Sequence, residues 1–156
     1  MQLVEITLEG TSVWIVSGVY STASVIGSLS QIVPNDAILC LEGISIENEV
    51  MNLFLNNQIE PKYKIKLGTT WPKPKQFHLP MNKVVVDSLV SLADKHAQPE
   101  LFDHLSVYCD GTVLLEAYDF GSDALMISES IDESLIQQFA KNLNCEYYRL
   151  KMQRAT

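Results

Sequence analysis

The sequence predicts an α+β fold: a single layered domain over residues 1–156, with a mixed sheet, a central β-hairpin and three to four helices packed on it. Three observations lead there. Residues 105–109 and 112–118 are apolar, β-prone runs joined by Asp110-Gly111, a dipeptide whose two members both tolerate the positive φ of a tight hairpin. A third apolar run over 124–127 is followed by Ser130-Ile131-Asp132-Glu133, which reads as a capping box. The helix it would open carries Leu135, Ile136, Phe139, Ala140 and Leu143 on one stripe; Asn144 suits a left-handed stop, and 145–150 reads as a returning strand.

The preceding elements follow from the same signals. Residues 3–8 and 12–17 alternate as short strands, the second around Trp14. Ser21-Thr22 can cap a helix with Val25, Ile26, Leu29, Ile32 and Val33 at helical spacing, weakened at Gly27 and ended by Pro34-Asn35-Asp36. The continuous apolar run 37–41 is that of an interior strand. Ser45 then reads as a cap for a helix with Glu47 and Glu49 in its first turn and Asn56-Asn57 at its end. Beyond Pro61 the pattern becomes strict alternation, Lys62, Lys64 and Lys66 on one side and Tyr63, Ile65 and Leu67 on the other. Residues 68–75 include Trp71-Pro72-Lys73-Pro74-Lys75 and read as loop, 77–79 as a short strand, and 82–97 as a helix with Val85, Val86, Leu89, Leu92 and Ala93 inward. Residues 37–67 and 124–150 share a strand–helix–strand order. Two such units sharing one sheet would bury both helices on it, and the sheet is expected to be partly parallel in its first half and antiparallel around the hairpin.

Composition bounds the class. At 156 residues, 47% hydrophobic and 19% charged, the chain has the balance of one ordinary globular domain. Acids rather than bases in the first nine residues, and no apolar stretch of membrane-spanning length, predict a soluble cytoplasmic protein with no membrane partner. Three cysteines in strand-like runs, Cys40, Cys109 and Cys145, predict reduced, buried thiols. The net charge of −8 is unevenly spread: residues 1–60 hold seven acids and no Lys or Arg, 61–86 hold six Lys and no acid, and 87–135 hold eleven acids and one Lys. Such acidity disfavours a general nucleic-acid binder and suits a basic partner, or simply solubility.

No catalytic constellation emerges. His104 with Cys109 could make a base and nucleophile only if the thiol were exposed and its pKa lowered, and no motif frames it. His78, His96 and His104 are too dispersed for a local metal site, and Asp119, Asp123 and Glu129 lack calcium-loop spacing, so no metal or cofactor is expected. Asp119-Phe120-Gly121 spells the kinase metal-binding tripeptide with nothing else of a kinase around it, and reads as a turn. Gly18 to Thr22 lacks the Lys and the glycines of a phosphate loop.

Two charged segments remain. Asp110, Glu116, Asp119, Asp123, Glu129, Asp132 and Glu133 cluster in sequence around the hairpin and the last helix, as a partner-binding acidic face would; the blander reading is a solvated surface. Lys62, Lys64, Lys66, Trp71, Lys73 and Lys75 make an alternative binding patch, with cations for phosphates and an indole for stacking. The blander readings are lysines guarding an exposed strand edge, or pairing with acids from 87–135. The expected function is that of a non-enzymatic binding protein, an acidic inhibitor or antitoxin-type partner of a basic protein, which resembles bacterial immunity proteins in kind only. The alternatives are a small nucleic-acid or ligand-binding module using residues 62–75, and a small enzyme whose site the sequence does not disclose.

Overall fold

In a computed structural model, residues 2–122 and 124–152 are described. The strands are β1 (Val4–Ile6), β2 (Ser12–Ser17), β3 (Ile38–Gly43), β4 (Tyr63–Ile65), β5 (Lys75–Pro80), β6 (His104–Cys109), β7 (Thr112–Ala117), β8 (Leu125–Ser128) and β9 (Glu146–Lys151). The helices are α1 (Thr22–Ser28), α2 (Asn48–Asn57), α3 (Lys83–Ala93), α4 (Gln98–Leu101) and α5 (Glu133–Asn142). Seven strands form one antiparallel sheet in the order β5-β3-β6-β7-β8-β2-β9, with the β6–β7 hairpin at its centre. β1 and β4 pair separately, in parallel. No described helix is long and apolar enough to cross a membrane.

Strand alternation divides the sheet into two unlike faces. Leu39, Leu41, Phe77, Leu79, Leu105, Val107, Leu125 and Ile127 point to one side, where Val25, Ile26, Val50, Phe54, Val85, Leu89, Ile136 and Phe139 from the helices close a large core. On the other side Val13, Ile15, Cys40, Tyr108 and Val113 form a smaller cluster with Leu8 and Ile65, against which Ile6 and Tyr63 also pack, so the β1–β4 pair and its flanking loops serve as the cover.

The hairpin turns as its dipeptide requires. Cys109 pairs with Thr112, and between them Asp110 and Gly111 hold φ of 48° and 81°. The register slips between Val107 and Tyr108, leaving Leu114 as an extra buried residue in β7, a bulge. Asn144 takes the left-handed conformation (φ 55°) that ends α5. Ser21 and Asn82 accept from Ser24 N and Val85 N and cap α1 and α3.

Three local expectations are corrected. The Ser130/Glu133 box does not form: α5 starts at Glu133 with Asp132 as its flank, Ser130 bonds to Ser128 Oγ (2.8 Å), and Glu133 accepts from Tyr147. The competing turn is set by Trp14 Nε1 donating to Ile131 O (3.0 Å). Ser45 is likewise no cap, because α2 begins at Asn48, where Glu47 N is taken by Glu100 O (2.9 Å). The first half of the main sheet is not parallel. The chain after α2 runs outside β5, with Ile59 N donating to His78 O (2.9 Å), and β4 then turns Tyr63 and Ile65 onto the second face instead of joining the main sheet. Only 124–150 keeps the repeated order in one sheet, with β2 between β8 and β9.

Gly111 tests this geometry. A Cβ there would sit at positive φ and 3.0 Å from Tyr63 Oη. Gly111→Val is expected to cost about 1–3 kcal/mol, and Gly111→Asn much less, because Asn tolerates the left-handed region. Urea midpoints that were equal for wild type and Gly111→Val would refute the turn.

Candidate functional site

The second face carries a polar layer that the sequence does not advertise. Across the sheet, register aligns His78, Cys40, Ser106, Glu116, Met126, Ile15 and Tyr148 in one row, with Gln76, Glu42 and His104 in the next. Glu42 and Glu116 are both buried. Glu42 accepts from Gly68 N (3.1 Å) and Thr69 N (3.0 Å), while Glu116 accepts from Leu8 N (3.0 Å) and Thr7 Oγ1 (3.2 Å). Their charges are thus spent inside the protein, holding the cover down. His104 Nδ1 accepts from Asp119 N (2.9 Å), which leaves Nε2 as the protonated nitrogen beside Thr69 Oγ1 (2.8 Å). Gly68 lies against the same imidazole so closely that an added Cβ would fall 2.6 Å from it.

This layer is not arranged as an active site. Cys40 and His78 face each other at 3.9 Å, but burial pushes the thiol far up and the imidazole down, so both stay neutral. His78 is further occupied by Tyr108 Oη (2.7 Å) and Gln76 Oε1 (3.3 Å). The space beside Glu42, His104 and Tyr118 is about 10 Å³, room for one water and no substrate. The pairing of His104 with Cys109 suggested by sequence is not formed: they occupy opposite ends of β6, about 17 Å apart at strand rise.

The acidic residues singled out by sequence are distributed, not gathered. Asp110, Glu129, Asp132 and Glu133 lie at the hairpin end of the sheet. Asp119 lies at the opposite end, in the turn with Phe120 and Gly121, and Glu116 points inward. Asp123 is outside the described residues. Glu129 is a clamp on the start of β2, accepting from Thr11 N (2.9 Å), Ser12 N (3.2 Å) and Ser12 Oγ (2.6 Å), with Arg149 at 3.5 Å. The hydrogen bond from the Ser12 hydroxyl, above all, holds its carboxyl down at about 2.

What the hairpin end does assemble is a pocket of about 240 Å³. Asp36, from the start of β3, and Asp110, from the hairpin tip, line it with Glu60; Tyr63 and Tyr108 meet edge to face (6.1 Å) in its wall, and Lys62 stands at its side. Neither Asp36 nor Glu60 stands out in the sequence: the antiparallel pairing of Ile38 with Tyr108 brings Asp36 to Asp110, and the chain running from α2 into β4 brings Glu60 to the same pocket. One oxygen each of Asp36 and Asp110 and the Cys109 sulfur lie within 4.8 Å of one another. Burial, with the Asp36 hydrogen bond (3.5 Å) next, pushes the Cys109 thiol up to about 11. None of Asp36, Glu60 and Asp110 has an ion-pair partner among the described residues. The cysteines are free, yet only Cys40 is buried; Cys109 and Cys145 border turns and are half-buried, which corrects the expectation for those two.

The lysine segment is solvent-facing. Lys62, Lys64, Lys66, Lys73 and Lys75 are exposed, Trp71 is 85% exposed, and among the described residues none of these lysines pairs with an acid. Comparison with known proteins returns no matching family model, curated protein or solved structure.

Two outcomes follow from these protonation states. Glu129, depressed in the fold, contributes stability that is complete above about pH 4.5 and lost as pH falls toward 2. Glu129→Gln should therefore lower the urea midpoint at neutral pH, with the gap from wild type closing through that window; a constant gap would contradict it. Cys109 should react slowly with thiol reagents at pH 7.5 and faster toward pH 11, whereas rapid stoichiometric labelling of native protein at pH 7.5 would show a thiolate that this environment disfavours.

Proposed function

We propose that this is a non-enzymatic binding protein whose acidic hairpin end receives a basic protein partner, in the manner of an inhibitor, immunity protein or antitoxin. The observation that carries the reading is the pair Asp36 and Asp110, with carboxylate oxygens within 4.8 Å of each other and no ion-pair partner among the described residues, at a pocket walled by Tyr63 and Tyr108 with Lys62 at its side. Two like charges at that separation repel by about 1 kcal/mol in bulk water and by several times that as water is displaced. A guanidinium or ammonium group entering the pocket removes the repulsion and stacks against tyrosine. Asp132 and Glu133, exposed at the same end of the sheet, extend the attraction to an approaching partner.

An oligo-arginine peptide is a suitable first probe, followed by basic proteins encoded beside this chain. The double variant Asp36→Asn/Asp110→Asn keeps the turn, since Asn accepts positive φ, and should slow association at low salt by about tenfold; the difference should shrink toward none at ~0.5 M salt. Asp119→Asn, at the far end of the sheet, should leave association unchanged. If Asp119→Asn weakened binding and the pocket variant did not, the proposed face would be the wrong one.

A further inference from the structure

A second charged surface adjoins the acidic pocket, on residues 64–75, with Lys62 shared between the two. We propose that this segment binds single-stranded nucleic acid, with Trp71 stacking on a base and Lys64, Lys66 and neighbouring lysines contacting the phosphates.

Three features favour that ligand. The first is the indole. Trp71 is 85% exposed, whereas the chain's other tryptophan, Trp14, is buried and holds Arg149 at 5.0 Å from its ring. Lysines that merely guard a strand edge need no bare indole beside them. The second is the spacing of the cations. Tyr63 and Ile65 pack inward from β4, so Lys64 between them projects outward, and the exposed Lys62 and Lys66 flank the strand two residues to either side, about 7 Å away at strand rise. That step is comparable with the one between successive phosphates of an extended single strand.

The third feature is pre-organisation. The loop before Trp71 is fastened by Gly68 N and Thr69 N to the buried Glu42 carboxylate and by Thr69 Oγ1 to His104. The strand after it is fastened by Gln76 Nε2 to Ile65 O (3.2 Å), and Pro74 is buried. The side chain is thus offered on an anchored loop, so little ordering remains to be done on binding. The negative sum over the chain does not forbid this, because at 0.1 M salt charges beyond about 10 Å are largely screened and the local lysines dominate.

The probe is a fluorescently labelled twelve-nucleotide oligo(dT), with anisotropy and intrinsic tryptophan emission as readouts. Binding at low salt should quench Trp71. About three phosphate contacts correspond to a salt slope near −2, so affinity should fall roughly 20-fold between 50 and 200 mM salt. Trp71→Ala, a change at an exposed side chain, should weaken binding roughly 5- to 150-fold. Lys64→Glu/Lys66→Glu should abolish it, while Asp36→Asn/Asp110→Asn should not reduce it, which separates this surface from the acidic pocket. Any of three results would overturn the proposal: no anisotropy change at 20 mM salt, binding unaltered by Trp71→Ala, or polyglutamate competing as well as unlabelled oligo(dT). The last would assign the surface to an acidic protein.

Discussion

The structure depends on two carboxylates facing inward from a sheet that has helices on only one side. A seven-stranded sheet needs both faces closed, and here the second closure is a three-residue parallel pair with loops, too small to hold by apolar contact alone. Glu42 and Glu116 supply the difference. Each accepts two hydrogen bonds from the cover, and hydrogen bonds to charged groups contribute about 1.5–3 kcal/mol apiece. A buried charge without such donors would cost several kcal/mol, so carboxylate and cover hold each other in place. Removing either partner leaves the other unsatisfied.

Both surfaces with binding potential hang from that closure. Glu60, Lys62 and Tyr63 enter the acidic pocket from the chain leading into β4, and Trp71 stands on the loop leaving it. The opposite pocket wall, Asp36 and Asp110, belongs to the sheet itself, through the pairing of Ile38 with Tyr108 and the left-handed turn at Asp110. The pocket is therefore a seam between rigid sheet and fastened cover. A cover held by hydrogen bonds to charge, and not by a large apolar area, is the part of this fold whose local opening should need the least free energy.

The hairpin, the cap at Ser21, the stop at Asn144 and most of the helical stripes are legible in the sequence because each rests on residues within one turn of one another; Leu135, expected on the stripe of α5, is instead exposed. The lost elements are those where a distant group competes. Ser130 is an adequate cap in isolation, but the Trp14 indole and Ser128 claim its surroundings. The strand after α2 has a clear alternation, yet nothing local says that it crosses outside β5 to cover the second face. The same limit applies to the site. Sequence proximity gathered Asp110, Glu116 and Asp119, whereas strand geometry sends them to the tip, the interior and the far end. Asp36, 74 positions before Asp110, enters the pocket only through antiparallel pairing. Glu116 is the least legible of them, because an acid inside an apolar strand looks the same in sequence whether it faces water or a buried amide.

The acidic pocket and the exposed lysines coexist on one chain without collapsing onto each other, and the reason is energetic. A surface ion pair contributes about 0–1 kcal/mol, since the Coulomb gain in water is offset by the entropy of holding two long side chains. Drawing Lys64 or Lys66 toward Asp36 and Asp110 would require rotating β4, which would pull Ile65 out of the second core and Tyr63 off Tyr108. Burial of one such side chain is worth about 1.5–3 kcal/mol, more than the pair returns. The inward apolar positions of the strand thus fix the outward charges in place, and among the described residues the charges stay unpaired because the packing beneath them outweighs the attraction between them.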